Sequence, residues 1–284
     1  MKKGIKTSMY YNDGTTVTDY DKLRRHGYTC ADYQLIADTK CVLYKVDEAE
    51  FKKMMLDEKK RADKAGVEFS QVHAPWPVDD TTPEKRAVTM ENMKKAVRGT
   101  AYLDGKYLVV HPVMPYGWYR DDDPLYSEKL NAEFFEELSK YAMKYNVRIC
   151  IENMPFKTKI SPMSETIKFV EKYNIQNLYI CMDTGHCIVH NEDCGEMIRR
   201  AGDKLKVFHL HDNVGYIDNH QIPYSGKIDW DSFKSAIRDV KFDGCLSSEA
   251  DVSRKLPAAL REYMEIGLSK IISSLDCEID EEEI

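Results

Sequence analysis

The chain has 284 residues, of which 43% are hydrophobic and 31% are charged, so it can build a large core and a well-solvated surface. This composition argues against a disordered chain or a fibrous repeat. With 41 Lys and Arg residues against 48 Asp and Glu residues, the net charge is −7, which disfavours a broad electrostatic contact with nucleic acid. A small substrate in a local site fits this charge better.

The start of the chain and its cysteines bear on location. Met1 and two lysines are followed by a polar segment rather than by the apolar stretch of a secretory signal. No stretch approaches the roughly 18 apolar residues that a membrane span needs. The eight cysteines are scattered and form no C-x-x-C pair, which is typical of reduced thiols. We therefore expect a cytoplasmic protein without a disulfide framework.

Short apolar runs rich in Val, Ile, Tyr and Cys recur along the chain and predict eight β-strands. They cover residues 5–10, 28–34, 67–73, 107–113, 148–153, 178–183, 206–211 and 245–249. Longer segments with helical spacing separate these runs. A strand followed by a helix, repeated eight times, is typical of a parallel sheet that closes into a barrel.

Local signals mark several of the intervening helices. Asp47 and Glu50 have the spacing of a capping box. Thr82-Pro83 and Ser161-Pro162 place proline at the first position of a helix, and residues 130–145 carry apolar side chains at helical spacing. Helix stops are predicted at Gly66, Gly105, Asn146 and Asn174.

The predicted fold is a single-domain (β/α)8 TIM barrel. A doubly wound open sheet is the alternative, but no G-x-G-x-x-G motif follows the first predicted strand. No linker or shift in composition divides the chain. We expect one domain over residues 1–284, with a short acidic tail from about residue 276 to 284.

Histidine, aspartate and glutamate cluster at the carboxyl ends of six successive predicted strands, where barrel enzymes carry their active sites. The residues are His73, His111, Glu152, Asp183 with His186, His209, and Glu249. Any one of them alone is more often structural than functional. Together they would leave many charges buried, and a divalent cation offsets that cost. Mixed oxygen and nitrogen ligands favour Mn²⁺ or Zn²⁺, leave Co²⁺ or Mg²⁺ open, and disfavour Ca²⁺.

These residues lie in segments that resemble the xylose-isomerase-like TIM-barrel superfamily, which includes sugar phosphate isomerases and epimerases, ketose 3-epimerases and AP endonucleases of the endonuclease IV type. From the third to the eighth predicted strand, the segments are VHAPWP, VVHPV, CIENMP, MDTGHC, HLHDN, DNHQIPYSGKIDW and SSEA. They span about two thirds of the chain. The resemblance is specific for the superfamily and less specific for the substrate.

In the epimerase branch, the resemblance implies one metal held by Glu152, Asp183, His209 and Glu249. The implied reaction is proton transfer next to a carbonyl through a metal-stabilised enediolate, with Glu152 and Glu249 as base and acid. The resemblance also implies that His186 contacts a substrate hydroxyl.

In the endonuclease branch, the resemblance implies three zinc ions and phosphodiester hydrolysis. His73 and His111 would bind one zinc ion with Glu152, and His186, Asp218 and His220 would bind another. The acidic net charge and the scarcity of arginine in the strand-to-helix loops argue against a DNA substrate. In a sugar enzyme, the additional histidines and Asp218 would line the substrate pocket instead.

Two further features concern the substrate, which we expect to be a small sugar or sugar phosphate. Ketose 3-epimerases usually carry an arginine shortly after the strand-7 histidine, yet residues 212–226 contain neither Arg nor Lys. This departure argues against 3-epimerisation of a free ketose and leaves aldose–ketose isomerisation or another enediolate reaction open. Trp76 and Trp118 would form either a sugar-stacking wall or a hydrophobic rim at a subunit contact. A homo-oligomer and a metal-bearing, non-catalytic sugar-binding barrel also stay open.

Overall fold

The computed structural model describes residues 1–12, 15–35, 42–76 and 80–276. The acidic tail from residue 277 onward, Cys41 and Cys277 lie outside the described residues. The other six cysteines are buried free thiols. Within the described ranges, no helix combines the length and the apolar character that crossing a bilayer requires.

Eight strands form one parallel sheet. They are β1 (Lys2–Lys6), β2 (Cys30–Gln34), β3 (Glu68–His73), β4 (Tyr107–Val110), β5 (Arg148–Glu152), β6 (Leu178–Asp183), β7 (Leu205–His209) and β8 (Cys245–Ser248). Their order is β7-β6-β5-β4-β3-β2-β1-β8. Just past β7, the Leu210 N–H donates to the Ser247 carbonyl of β8 over 2.8 Å, and this contact closes the sheet. The predicted (β/α)8 barrel is confirmed.

Helices follow the strands and are capped largely by aspartate. They are α1 (Tyr20–Arg25), α2 (Glu48–Ala65), α3 (Pro83–Tyr102), α4 (Pro124–Met143), α5 (Met163–Tyr173), α6 (Thr184–Val189), α7 (Cys194–Ala201), α8 (Trp230–Asp239) and α9 (Ala258–Ser274). Asp47 accepts from the Glu50 N–H at the start of α2, and Thr82 caps α3 with Pro83 at its first position, as predicted. Gly66 and Asn174 end their helices in the left-handed conformation.

Two predicted helix starts are wrong. Pro162 is the N-cap of α5, so that helix begins one residue later than predicted. The helix predicted over 130–145 begins at Pro124, because Asp123 caps it by accepting from the Tyr126 N–H.

The first predicted strand is misplaced. Residues 7–10 form a short 3-10 helix, and β1 lies upstream of it. Its position is set by its two neighbours, since Gly4 pairs with Cys30 of β2 and with Ser247 of β8. A Cβ atom at Gly4 would lie 2.8 Å from Cys245 Sγ, so the close packing here requires glycine. Lys6 therefore occupies the carboxyl end of β1.

Several other strands end earlier than predicted. His111, Asn153, His211 and Glu249 each follow the last residue of their strand. These side chains therefore stand on the connections at the carboxyl face of the barrel, where loop geometry rather than sheet pairing sets their direction.

Candidate active site

The site lies on an apolar layer inside the barrel. Val109, Cys150, Cys181 and Val207, from four neighbouring strands, form a separate buried cluster. Two residues further along these strands stand His111, Glu152, Asp183 and His209. Because residues i and i+2 of a strand share a face, Glu152, Asp183 and His209 form the next layer toward the carboxyl face, and His111 lies beside Glu152 just past the end of β4. The strand period thus places the polar layer of the site directly above an apolar layer.

A cavity of about 470 Å³ opens above this polar layer. Nine of the predicted site residues line it: His73, Trp76, His111, Trp118, Glu152, His186, Asp218, His220 and Glu249. The other two, Asp183 and His209, are fully buried and contact lining residues. A cavity of this size holds a small organic ligand.

Glu152 is surrounded by imidazoles. Its Oε1 lies 2.8 Å from His209 Nδ1, and its Oε2 lies 3.0 Å from His111 Nε2 and 3.5 Å from His73 Nε2. Burial by itself raises the pKa of Glu152. The charges of His209 and His111 lower it by more, so the pKa lies well below the ordinary value. The carboxylate is therefore ionised at neutral pH.

The oxygen Glu152 Oε2 provides a test for a metal. It is buried and has no hydrogen-bond partner within the described part of the chain, although two imidazole nitrogens face it. A carboxylate oxygen and imidazole nitrogens that converge without hydrogen-bond geometry are a suitable donor set for a divalent cation. The residues present therefore fit a metal ion.

Asp32, a fully buried residue that our sequence analysis missed, places its carboxylate beside the ring of His209. Asp32 Oδ2 lies 3.1 Å from His209 Nε2 and accepts from Gln71 Nε2 over 3.2 Å. This arrangement directs the other ring nitrogen, Nδ1, toward Glu152 and toward Glu249, whose Oε2 is 3.9 Å away. A charged residue inside the second apolar run was the signal for Asp32.

Glu249 approaches the same ring nitrogen of His209 as Glu152 does, with its Oε2 3.9 Å from Nδ1. Gln34 Nε2 donates to its Oε1 over 3.2 Å. Burial raises the pKa of Glu249, but the positive charges of His209, Lys6 and His220 lower it to about 2. Glu249 is therefore a second ionised carboxylate at the same cavity.

Asp183 contacts a different pair of residues. Its Oδ1 accepts from the His186 backbone N–H over 2.8 Å, and its carboxylate lies 2.9 Å from His211 Nε2. His211 is fully buried and stacks on His220 with ring centroids 4.2 Å apart. His211 belongs to the HLHDN segment, but the sequence pattern predicted no role for it, because only the fold turns it toward Asp183.

Asp218 joins two of the remaining histidines. Its Oδ2 lies 3.2 Å from His186 Nε2 and 3.3 Å from His220 Nε2. Burial lowers the pKa of His186, but Asp183 and Asp218 outweigh it and raise that pKa to about 10. For His220, burial also lowers the pKa, while Asp218 and Glu249 raise it to about 9. The three side chains form one charged network.

Asp212 holds the connection that carries Asp218 and His220. Its Oδ1 accepts from the backbone N–H groups of Asn213 and Ile228, and its Oδ2 accepts from Trp230 Nε1 over 3.0 Å. Asp229 then caps α8. The connection therefore leads directly into this helix.

Among the residues that the structure describes, potential ligand atoms fall into four groups, each with its atoms within 4.8 Å of one another. The groups are His73–Glu152–His209, Asp32–His209–Glu249, Asp183–His186–His211 and His211–Asp218–His220. His209 is shared by the group of Glu152 and the group of Glu249, while Asp183 belongs to a third group. The predicted set of four metal ligands therefore spans three groups and stays a prediction.

Aromatic side chains form the outer wall of the cavity. Trp76 and Trp118 stack with centroids 5.3 Å apart, and Trp118 stacks on Phe156 at 5.5 Å. Phe156, which our sequence analysis did not single out, also lines the cavity. Such a surface suits the apolar face of a sugar ring.

Residues 20–268 match the sequence model described as "Xylose isomerase-like TIM barrel". The chain belongs to this family. The matched region includes every strand that carries the candidate site except β1.

The curated relatives include uncharacterized proteins, D-psicose 3-epimerases and probable endonucleases. The chain is 30% identical over 215 residues to an uncharacterized protein of Methanocaldococcus jannaschii. This match covers 70% of this chain and 71% of that protein. It is 23% identical to a D-psicose 3-epimerase of Agrobacterium fabrum, over 49% of this chain and 47% of the relative. It is 26% identical to a probable endonuclease 4 of Metamycoplasma arthritidis, over 61% and 66%. The chain thus spans about half of the epimerase.

Solved structures share the fold. A crystal structure of D-psicose 3-epimerase in the presence of D-fructose superimposes with a TM-score of 0.79 at 17% identity, covering 98% of this chain and all of the other. A structure of the IOLI protein, described as having a binding zinc atom, gives a TM-score of 0.76 at 18% identity over 99% and 100%. At these identities the likeness concerns the fold alone.

Proposed function

We propose that this protein is a divalent-metal-dependent sugar isomerase or epimerase that transfers a proton next to a carbonyl group. The observation that carries this proposal is the pair of buried, ionised glutamates, Glu152 and Glu249, which line one cavity and both approach Nδ1 of His209. Two carboxylates at opposite sides of a substrate carbon suit removal of a proton and its return.

The metal would be held by Glu152, Asp183, His209 and Glu249, and Mn²⁺ or Zn²⁺ suits these donors best. When bound, such a cation polarises the carbonyl and hydroxyl of a ketose or aldose and thereby acidifies the neighbouring C–H bond. The unsatisfied Oε2 atom of Glu152 supports this assignment. The other groups of ligand atoms are candidates for additional metal.

The side chains that line the cavity would accept the proton, contact the sugar hydroxyls and exclude water. The pKa values of Glu152 and Glu249 lie well below neutral pH. Both carboxylates are therefore deprotonated and have a free site for a proton from the substrate. His186, whose pKa is about 10, retains its proton at neutral pH and donates to Asp218, and at the cavity wall it would contact a substrate hydroxyl. Trp76, Trp118 and Phe156 exclude water from the apolar face of the sugar.

The relatives support a sugar as the substrate. D-psicose 3-epimerases occur among both the curated relatives and the structural neighbours. The acidic net charge of the chain also fits a small ligand better than DNA. The reaction type, isomerisation or epimerisation, depends on which substrate carbon faces the glutamates.

Solvent-hydrogen exchange tests the proposal. The metal-loaded protein is incubated in D2O with free and phosphorylated ketoses and aldoses, and deuterium at carbon is measured by NMR. We expect incorporation into at least one sugar, its loss in Glu152→Gln, and its retention in Glu171→Gln, which changes an exposed glutamate of α5. Sugar binding without exchange in the wild type would instead identify a non-catalytic sugar-binding barrel.

A second candidate is an AP-endonuclease-like phosphodiesterase, favoured by the proximity of His186, Asp218 and His220. It predicts about three zinc ions per chain, whereas the sugar enzyme predicts one metal ion. Metal analysis of the purified protein and cleavage of an abasic-site duplex separate the two. Cleavage that is lost in Asp218→Asn would favour the phosphodiesterase.

A further inference from the structure

Lys6 lies at the cavity although no motif pointed to it. It is the last residue of β1 and is only 7% exposed. It lines the cavity together with Gln34, His220 and Glu249. A buried ammonium at the carboxyl end of a barrel strand stands where this fold places functional groups.

Among the residues that the structure describes, the contacts of Lys6 leave part of its hydrogen-bonding capacity unused. Its Nζ lies 2.7 Å from Asp251 Oδ1 and 3.4 Å from His220 Nδ1. The His220 Nδ1 atom also lies 2.9 Å from the Glu249 carbonyl oxygen, to which it donates, so it does not accept from Lys6. An ammonium has three donors, and Asp251 accepts one of them. The remaining donors stand at the cavity wall.

We propose that Lys6 is a substrate-binding residue, whose ammonium donates a hydrogen bond to a hydroxyl of an uncharged sugar beside Glu249. This inference rests on the proposed function, since it assumes that the cavity binds a sugar. It assigns β1 a role in recognition that complements the metal-facing residues of the later strands.

The surrounding charges favour an uncharged sugar over a sugar phosphate. Asp251 already compensates the charge of Lys6 at 2.7 Å. Glu152, Asp218 and Glu249 line the same cavity. A phosphate group that approached Lys6 would therefore lie near several carboxylates and would compete with Asp251. A hydroxyl accepts the same hydrogen bond without that repulsion.

Binding, rather than turnover, provides the test. Trp76 and Trp118 line the cavity, so the intrinsic fluorescence of the metal-loaded protein reports occupancy. The probes are D-fructose, D-tagatose and D-psicose, with D-fructose 6-phosphate and D-tagatose 6-phosphate for comparison. We expect at least one free ketose to bind at least about tenfold more tightly than the phosphates. Lys6→Met should weaken that binding on the order of tenfold to a hundredfold, because a hydrogen bond from a charged donor is lost.

Two variants separate recognition from folding. Lys6→Arg retains the charge and the donors and should bind the ketose within about threefold of the wild type. Asp251→Asn removes the compensating carboxylate and should narrow the gap between ketose and ketose phosphate. Thermal unfolding of Lys6→Met with metal bound shows whether its fold is intact.

Three results would overturn the inference: tighter binding of the phosphates by the wild type, unchanged ketose affinity in a folded Lys6→Met protein, or no binding of any free ketose. If Lys6→Met is unfolded, weak ketose binding by the folded Lys6→Arg variant has the same meaning. Ketose binding that depends on Lys6 but is not accompanied by deuterium exchange would contradict the proposed reaction alone.

Discussion

The carboxylate of Asp32 lies 3.1 Å from Nε2 of His209, and both side chains are fully buried. Metal-binding histidines commonly contact a carboxylate through the ring nitrogen that does not face the metal. Asp32 therefore fixes the His209 ring so that Nδ1 faces Glu152. This pair links β2 to β7 across the barrel interior.

Asp32→Asn should weaken metal binding by about 10- to 100-fold, because the amide orients and polarises His209 less effectively. The affinity for Zn²⁺ or Mn²⁺ is measured by competition with a chelator of known affinity. Asp63→Asn, which changes a solvent-exposed carboxylate on α2, serves as the control. Equal affinities of Asp32→Asn and the wild type would show that Asp32 does not position a metal ligand.

Gly185→Ala should destabilise the protein by about 1–3 kcal/mol, because the new methyl group would overlap His211. A Cβ atom at Gly185 would lie 2.0 Å from His211 Cε1, and His211 is itself fully buried. The free energy of unfolding is measured by urea denaturation.

Gly267→Ala is the matched control for this substitution. Gly267 lies in α9, and apart from the backbone of that helix and the adjacent residues, a Cβ atom there would meet no atom of the described residues within 4 Å. Alanine in a helix interior should stabilise the protein by about 0.5–1 kcal/mol relative to glycine. If both substitutions had the same effect, the close contact between Gly185 and His211 would not matter for stability.

His26 should make stability depend on pH, independently of the candidate metal site. Burial lowers its pKa below the ordinary value of 6.5, the nearby Glu265 opposes this effect, and Lys22 adds to it. The folded state therefore favours neutral His26. Its contribution is complete above pH 6.5 and is lost as the pH falls from there through the lowered folded-state pKa.

Urea unfolding of the wild type and of His26→Gln between pH 5 and 8 measures this contribution. The wild type should lose more stability than the variant as the pH falls below 6.5. Parallel pH profiles of the two proteins would mean that His26 has the same pKa in the folded and unfolded states.

Removing metal should lower the melting temperature. Asp32, Glu152, Asp183 and Glu249 are all buried at the carboxyl face of the barrel, where a bound cation would add to the compensation that the neighbouring histidines give their charges. Chelation should therefore destabilise the protein, and Zn²⁺ or Mn²⁺ at 100 times its Kd should restore about 2.7 kcal/mol. Calorimetry with and without chelator checks this. A melting temperature that changes neither on chelation nor on addition of the metal would argue against a metal site.

The sequence predicted the barrel because its signals are local and repeat in register. The strand ending at Asp183 was predicted with its correct bounds, and Thr82-Pro83 marked the start of α3. β1 was misplaced because its position depends on pairing with two strands that are distant in sequence. As a result, Lys6 was not among the predicted site residues.

The sequence by itself determined which polar residues reach the carboxyl face of the barrel. Strand periodicity places Glu152, Asp183 and His209 on one side of their strands, two residues beyond an apolar layer. The tertiary structure alone decided their partners. The contact of Asp32 with His209 joins two strands, the contact of Asp183 with His211 joins β6 to the connection after β7, and closure of the barrel sets both distances. Local sequence patterns do not encode contacts between such separated residues.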